Sequence, residues 1–297
     1  MTDQTRPSGA RPAEPRCLAP GLLAGKTAWI TGGGTGIGRA MALRFAELGA
    51  QIAVSGRRPE PLKETVEEIR AAGGVAAWAT CDVRDADAVD SALSRLLDEL
   101  GRLDILVNNA AGNFLCPSEE LSPNAFAAVV GIVLHGTFHC TRAAGRHWIR
   151  EGHGGNVLNI LATYAWTGSA FVLPSACAKA GGLALTRSLS VEWARHGIRL
   201  NALAPGPVMT EGAMSQLFPS EEIVQRRAAK IPAGRFGSPD EIAELAAFLV
   251  SDASDLIRGE VVTIDGGEWL SGAGEFNELV DQPPSFWEAM RQRTGRK

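Results

Sequence analysis

Residues 31–38 read Thr31-Gly32-Gly33-Gly34-Thr35-Gly36-Ile37-Gly38, which places five glycines in eight positions. The run Thr27–Thr31 that ends in this stretch predicts a strand, and apolar residues from Ile37 to Leu48 then recur at helical spacing. A glycine-rich turn between strand and helix lets the backbone approach a phosphate, and the helix N-terminus supplies unpaired N–H groups. The stretch therefore predicts a dinucleotide-binding turn, with contacts at Gly32, Thr35, Gly36, Ile37 and Gly38.

Short apolar runs alternate with helical patterns on both sides of this turn. This alternation predicts an α/β, single-domain Rossmann fold, with a doubly wound parallel sheet of about seven strands and helices on both faces. The predicted strands are Thr27–Thr31, Ile52–Ser55, Val75–Ala79, Leu103–Val107, Val157–Leu161, Ile198–Leu203 and Val261–Ile264. Two long helices are predicted, from Pro123 to about Arg150 and from Ser175 to about His196.

Three segments depart from the alternation. Residues 1–24 are rich in proline and arginine, and we expect a disordered tail, with a transit peptide as the alternative. Residues 25–270 form the predicted catalytic domain, in which 210–236 is too long for an ordinary connection and is interpreted as a substrate lid. Residues 271–297 form a C-terminal extension.

The overall composition excludes several function classes. The 297 residues are 45% hydrophobic and 21% charged, with a net charge of -4, which argues against nucleic acid or an anionic membrane as the main partner. We see no apolar run of membrane-spanning length and expect no membrane insertion. The five cysteines are scattered without metal-ligand spacing, so we expect reduced thiols, a cytoplasmic location and no metal.

The ends of the next strands suggest how the rest of the dinucleotide is bound. An NAD-selective site usually has an acid after the second strand, whereas this chain has Arg57 and Arg58, which favour the 2′-phosphate of NADP(H). The alternative is a solvated arginine pair at a helix start. The third strand ends at Asp82-Val83, where a carboxylate can accept from the adenine amine. The fourth ends at Asn109-Ala110, which we place under the adenosine ribose.

These motifs resemble the short-chain dehydrogenase/reductase family in order and spacing, from about Lys26 to Gly267. The usual catalytic motif of that family is Tyr-x3-Lys. Here Lys179 is preceded at that spacing by Ser175, and the chain's single tyrosine is Tyr164. An aliphatic hydroxyl is much harder to ionise than a phenol, so Ser175 is a poor replacement as proton donor. Either the chain is inactive or its reaction needs no tyrosine at position 175.

Two stretches resemble the 2,4-dienoyl-CoA reductases, Asn108-Asn109-Ala110-Ala111-Gly112-Asn113-Phe114 and residues 163–181. The resemblance implies that Tyr164 and Asn113 hydrogen-bond the thioester carbonyl, that Lys179 binds the nicotinamide ribose and that Ser175 completes the hydrogen-bond chain. It also implies contacts of the nicotinamide end with Pro205, Gly206, Val208 and Thr210, and assembly as a homotetramer through the two long helices.

The expected activity is NADPH-dependent reduction of conjugated enoyl thioesters, 2,4-dienoyl-CoA to 3-enoyl-CoA, as part of fatty acid β-oxidation. The acyl group is expected on CoA or a carrier protein. We interpret Phe114, Trp166 and Phe171 as lining an acyl pocket, with core aromatics as the alternative. His135 stands where the family usually has asparagine, and a solvated or packed histidine is favoured over a catalytic one. Alternative functions are reduction of a 2-enoyl-CoA, cyclic enoyl-CoA or carbonyl substrate, or an inactive dinucleotide-binding sensor.

Overall fold

The computed structural model describes residues 18–217 and 220–294, and it contains one seven-stranded parallel sheet. The strands lie in the order β3-β2-β1-β4-β5-β6-β7, so the chain winds outward in both directions from β1 and β4. Their bounds are β1 Thr27–Thr31, β2 Gln51–Gly56, β3 Ala76–Thr80, β4 Ile105–Asn108, β5 Gly155–Ile160, β6 Ile198–Pro205 and β7 Val261–Ile264. All residues of β1 and of β6 are buried, as expected for strands covered on both faces. The predicted fold class is confirmed.

Helices cover both faces of the sheet. The bounds are α1 Gly36–Glu47, α2 Pro59–Ala71, α3 Ala86–Leu100, α4 Pro123–Val130, α5 Gly136–Glu151, α6 Tyr164–Thr167, α7 Leu173–Glu192, α8 Glu211–Leu217, α9 Glu221–Ala228, α10 Pro239–Val250, α11 Glu268–Ala273 and α12 Pro284–Thr294. Apolar residues of α1, α2 and α10 build one core cluster. Residues of α3, α5 and α7 build the cluster on the opposite face.

A π-helical turn, Gly131–His135, joins α4 and α5 into one continuous helix. By length and composition alone, Pro123–Glu151 is long and apolar enough to span a membrane. Our expectation that the sequence contains no run of this kind missed this helix. A criterion of length and composition is weak evidence, because core helices of soluble proteins also meet it. In this helix Cys140, Ala144 and Trp148 are fully buried against the sheet, so one of its faces belongs to the core.

The tail boundary expected at residue 24 falls too late. Leu23 is fully buried, and its N–H donates to the Leu48 carbonyl at 2.9 Å, so residues 18–24 belong to the folded domain. Residues 1–17, the rest of the expected tail, lie outside the described part of the chain. The segment interpreted as a lid contains α8 and α9, and the C-terminal extension contains the second half of α11 and the exposed helix α12.

Candidate active site

The glycine-rich turn has the geometry that its sequence predicts. A methyl group at Gly33 would lie 2.5 Å from Val54 Cγ1, and one at Gly38 would lie 2.5 Å from the Asn109 amide nitrogen. Gly32 and Gly36 have φ values of +67° and +53°, which other residues rarely adopt. Thr35 is the N-cap of α1, and its side chain makes no capping hydrogen bond. The first N–H groups of α1 therefore keep their capacity to bind a phosphate.

Asn109 braces this turn from the end of β4. Its side-chain amide donates to the carbonyls of Thr31 and Gly32, at 3.0 and 3.3 Å. The Thr31 hydroxyl in turn accepts from the backbone N–H groups of Asn109 and Ala110, both at 3.0 Å. The turn and the end of β4 are thus fixed to each other at the point where the strand order reverses, which is where open α/β sheets bind ligands.

A cavity of about 610 Å³ opens beside the turn. It brings together eight of the predicted dinucleotide-binding residues: Gly32, Thr35, Arg57, Arg58, Asp82, Val83, Asn109 and Ala110. Thr210 lies against the turn, since a methyl group at Gly36 would be 3.4 Å from its Cγ2. The remaining predicted contacts, Gly36, Ile37, Gly38, Lys179, Pro205, Gly206 and Val208, do not line this cavity. The size and the glycine cradle fit a nicotinamide dinucleotide.

Asp82 has a partner that the sequence reasoning missed. Its carboxylate accepts from Arg84 Nε at 3.0 Å and from the Arg84 backbone N–H at 3.1 Å. This hydrogen-bonded Arg84 holds the pKa of Asp82 below its ordinary value. A pair two residues apart leaves no periodic signal in a sequence. The carboxylate that we assigned to the adenine amine is therefore shared with an arginine at the rim of the cavity.

Tyr164 and Ser175 meet directly. Tyr164 Oη and Ser175 Oγ are 3.1 Å apart, although they lie on α6 and α7, eleven residues apart in the chain. Burial raises the pKa of the Tyr164 phenol above its usual value, and the Ser175 hydrogen bond and the Arg227 charge offset part of this. The phenol therefore stays protonated at neutral pH and is available as a hydrogen-bond donor.

Lys179 lies one turn further along α7 and is buried. Its ammonium group donates to the carbonyl of Ile160 at the end of β5. Burial lowers the pKa of Lys179 to about 8. The predicted serine–lysine pair thus occupies the carboxyl edge of the sheet, where Ser175 is also buried.

Asn113 follows β4, on the loop that approaches the Tyr164–Ser175 segment. Its Oδ1 accepts from the Phe114 backbone N–H at 3.0 Å, which orients the side-chain amide. Within the described part of the chain its Nδ2 has no protein partner, so two N–H donors are available to a ligand. The loop is tied to the other side of the site because the Cys116 N–H donates to the Phe171 carbonyl at 2.9 Å.

The three predicted acyl-pocket aromatics have different environments. Phe114 packs in a small apolar cluster with Val133 and Ala178, as a core aromatic does. Trp166 packs edge-on against Trp269, with ring centroids 5.9 Å apart. Phe171 is 58% exposed and has a φ of +65°, a left-handed conformation unusual for an aromatic residue. Of these three aromatics, Trp166 and Phe171 are the ones with largely exposed side chains, at 37% and 58%.

His135 is exposed, at the end of the π-helical turn, and its ring centroid lies 6.4 Å from that of His139. This placement agrees with the favoured interpretation of a solvated side chain. Among the described residues no group of three histidine, cysteine or acidic side chains is arranged to hold a metal ion.

Comparison with known proteins places this site in a family. Residues 32–268 match the family model described as enoyl-(acyl carrier protein) reductase. A Bacillus subtilis protein named probable 2,4-dienoyl-CoA reductase, (2E)-enoyl-CoA-producing, is 50% identical over 247 residues, which cover 83% of this chain and 97% of the relative. A Caenorhabditis elegans protein named probable 2,4-dienoyl-CoA reductase 3, (3E)-enoyl-CoA-producing, is 40% identical over 299 residues, with 95% and 96% coverage.

Solved structures agree with this placement. A short chain dehydrogenase from Bacillus anthracis is 45% identical, with a TM-score of 0.75 over 82% of this chain and 96% of its own. A gluconate 5-dehydrogenase from Burkholderia cenocepacia, solved with NADP and tartrate, is 34% identical, with a TM-score of 0.78 over 83% and 96%. The fold, the glycine turn and these matches together show that the chain belongs to the short-chain dehydrogenase/reductase family and is similar to proteins named 2,4-dienoyl-CoA reductases.

Proposed function

We propose that the chain is an NADPH-dependent reductase of conjugated enoyl thioesters, converting 2,4-dienoyl-CoA to 3-enoyl-CoA. One observation carries this proposal. The chain's single tyrosine hydrogen-bonds from α6 to Ser175, the residue that stands where the family usually has its catalytic tyrosine. This arrangement supplies a neutral donor to a carbonyl oxygen, whereas reduction of a carbonyl carbon needs a group that gives up its proton.

The preference for NADP(H) is supported by the charge at the end of β2. Arg57 and Arg58 are exposed, line the cavity and lie next to Gly56, the last residue of the strand. A guanidinium can bind a 2′-phosphate through two hydrogen bonds, whereas NAD-selective sites usually place a carboxylate here. The Burkholderia cenocepacia relative was solved with NADP. Equal catalytic efficiency with NADH and NADPH would contradict this part of the proposal.

The glycine-rich turn, Arg57 and Asn109 would hold a nicotinamide dinucleotide, which would supply a hydride to C5 of the diene. Negative charge then develops on the thioester oxygen, and Tyr164 Oη and Asn113 Nδ2 donate to it. Donors of this kind contribute about 3–4 kcal/mol each to transition-state stabilisation. In this proposal Ser175 orients the phenol through the hydrogen bond between their hydroxyl groups, and Lys179 is assigned to the nicotinamide ribose. Water protonates C2, which gives the 3-enoyl product.

A second product is favoured by one comparison. The Bacillus subtilis relative is named as (2E)-enoyl-CoA-producing, whereas the Caenorhabditis elegans relative is named as (3E)-enoyl-CoA-producing. The two outcomes differ in whether the dienolate is protonated at C4 or at C2. Reduction in deuterium oxide, followed by NMR of the product, distinguishes them. Deuterium at C2 supports the proposed 3-enoyl product, whereas deuterium at C4 would show that the product is the 2-enoyl thioester.

We further propose that the acyl group is carried on CoA or a carrier protein, that it lies against Trp166 and Phe171, and that the enzyme is a cytoplasmic homotetramer. The cysteines at 81, 116, 140 and 177 are all free in the described part of the chain, in keeping with a reducing compartment. Cys17 lies outside the described residues.

The test follows NADPH oxidation with 2,4-dienoyl-, 2-enoyl- and 3-oxoacyl-CoA side by side, for the wild type, Tyr164→Phe and the control Ser169→Ala. We expect turnover of the dienoyl substrate well above the others, and loss of about a hundredfold in Tyr164→Phe. Ser169 is exposed, so its variant should keep wild-type activity. Faster turnover of 3-oxoacyl-CoA, near-full activity in Tyr164→Phe, or tight NADPH binding without any turnover would contradict the proposal.

A further inference from the structure

An arginine of the lid segment lies on the same side of the molecule as Tyr164. Arg227, in the last turn of α9, donates from its Nε to Glu268 Oε1 at 3.1 Å. The Glu268 side chain is 23% exposed and that of Arg227 is 48% exposed, so the carboxylate is the better anchored partner. Glu268 begins α11, and three residues separate it from the end of the last strand, β7. The ion pair therefore fixes the guanidinium of the lid to the body of the domain.

The segment that holds Glu268 also contacts the helix that carries Tyr164. Trp269, the next residue, packs edge-on against Trp166 of α6. Trp269 is itself fixed, because its backbone N–H donates to Asp265 Oδ2 at 2.8 Å. The lid approaches the same segment, since the Ala233 N–H donates to the Gly266 carbonyl at 3.1 Å. These contacts bring α9, α11 and α6 together on one side of the site.

Among the described residues, the groups that we relate to the Tyr164 phenol lie on α7, α9 and α11. The charge of Arg227 lowers the pKa of Tyr164, against the larger effect of burial that raises it. From α7, Ser175 contributes a hydrogen bond, and the ammonium group of Lys179 is directed to the Ile160 carbonyl. From α11, Glu268 faces Arg227 and partly compensates its charge. Arg227 is thus a cation that acts on the phenol from the lid.

We propose that Arg227, held by Glu268, is a positioning residue that polarises Tyr164 and so strengthens the hydrogen bond that the phenol donates to the substrate oxygen. A cation near a phenol increases the partial positive charge on the hydrogen of its O–H group. The hydrogen bond that this O–H donates is therefore stronger in the transition state, in which the acceptor oxygen becomes negative. The role in catalysis rests on the proposed function, whereas the coupling between Arg227 and Tyr164 does not.

The coupling can be measured without a substrate because the chain has one tyrosine. Biosynthetic incorporation of 3-fluorotyrosine labels position 164 alone. Fluorination also lowers the phenol pKa, so the titration needs a less alkaline pH, at which the protein stays folded more readily. Titration by ¹⁹F NMR compares the wild type with Arg227→Gln, Arg227→Lys and Arg226→Gln. The last is a matched control, an exposed arginine one position earlier on α9.

We expect the Tyr164 pKa to rise in Arg227→Gln and to stay near the wild-type value in the other two. An unchanged pKa in folded Arg227→Gln, or an equal rise in Arg226→Gln, would overturn the coupling.

Catalysis is tested with the same variants on a 2,4-dienoyl thioester of CoA and on the matching thioester of N-acetylcysteamine, which has no phosphate. We expect Arg227→Gln to lower kcat about tenfold on both substrates, and Arg227→Lys to recover most of it. A loss confined to KM for the CoA substrate would show that Arg227 binds phosphate and would overturn the proposal. If the wild type reduces neither thioester, the proposed function fails while the NMR titration still decides the coupling.

Discussion

Lys179 is a charged residue in a buried position, and its environment makes a prediction about stability. Burial lowers its pKa from 10.5 to about 8 in the folded state. The unfolded chain therefore binds more protons than the folded one between these values, and stability rises with pH across that window. Below pH 8 the lysine lowers the free energy of unfolding by about 3 kcal/mol at most, and its hydrogen bond to Ile160 offsets part of this.

We accordingly expect Lys179→Met to be more stable than the wild type in the apo state at pH 7, while losing activity. The advantage should shrink as the pH rises from 8 toward 10.5, where the lysine is neutral in both states. Urea unfolding at several pH values measures this difference in stability, with Lys230→Met, an exposed lysine of segment 210–236, as the control. A Lys179→Met variant no more stable than the wild type at pH 7, or an advantage that does not change with pH, would contradict the burial argument.

At the scale of single elements, the turn before α1 leaves no room for a side chain at Gly38. A methyl group there would collide with the Gly32 carbonyl and lie 2.5 Å from Asn109 Nδ2, which braces the turn. We expect Gly38→Ala to cost about 2 kcal/mol of stability and to weaken NADPH binding, because a backbone carbonyl must move. Gly272→Ala in α11 is the control, since its methyl group meets no atom within 4 Å. Chemical unfolding and a fluorescence titration with NADPH measure both. Equal effects in the two variants would contradict the steric argument.

Periodicity predicts elements better than it predicts polar pairs. The strands and the two long helices follow from apolar spacing, because burial against the sheet imposes that spacing, and the turn follows from its glycines. Apolar spacing does not predict the π-helical turn at Gly131–His135, because one added residue barely changes the apolar face of a helix. The pairs Asp82–Arg84 and Arg227–Glu268 depend on the direction in which side chains at the surface point. The spacing of residues along the sequence does not indicate that direction. The contact of Tyr164 with Ser175 was anticipated through the family resemblance rather than through the residues alone.

At the scale of the whole molecule, large apolar side chains stand exposed on the outer faces of the two long helices. Phe138 and Ile149 on α5 are 48% and 40% exposed, and Val191 near the end of α7 is 81% exposed. Large exposed apolar surface on a folded chain is typical of a surface that binds another protein. Contact between copies through these helices also gives a reason why Pro123–Glu151 is apolar enough to resemble a membrane span while its other face lies in the core.

The proposed tetramer therefore predicts that Phe138→Glu and Val191→Glu, combined in one chain, lower the mass in solution because two carboxylates would have to be buried at each contact. Size-exclusion chromatography with light scattering measures this, and circular dichroism verifies that the variant is folded. Val75→Glu is the control, because Val75 is 53% exposed just before the edge strand β3, away from both helices. We expect the control to keep the wild-type mass. A monomeric wild type would refute the tetramer, and a double variant with unchanged mass would place the interface on another face.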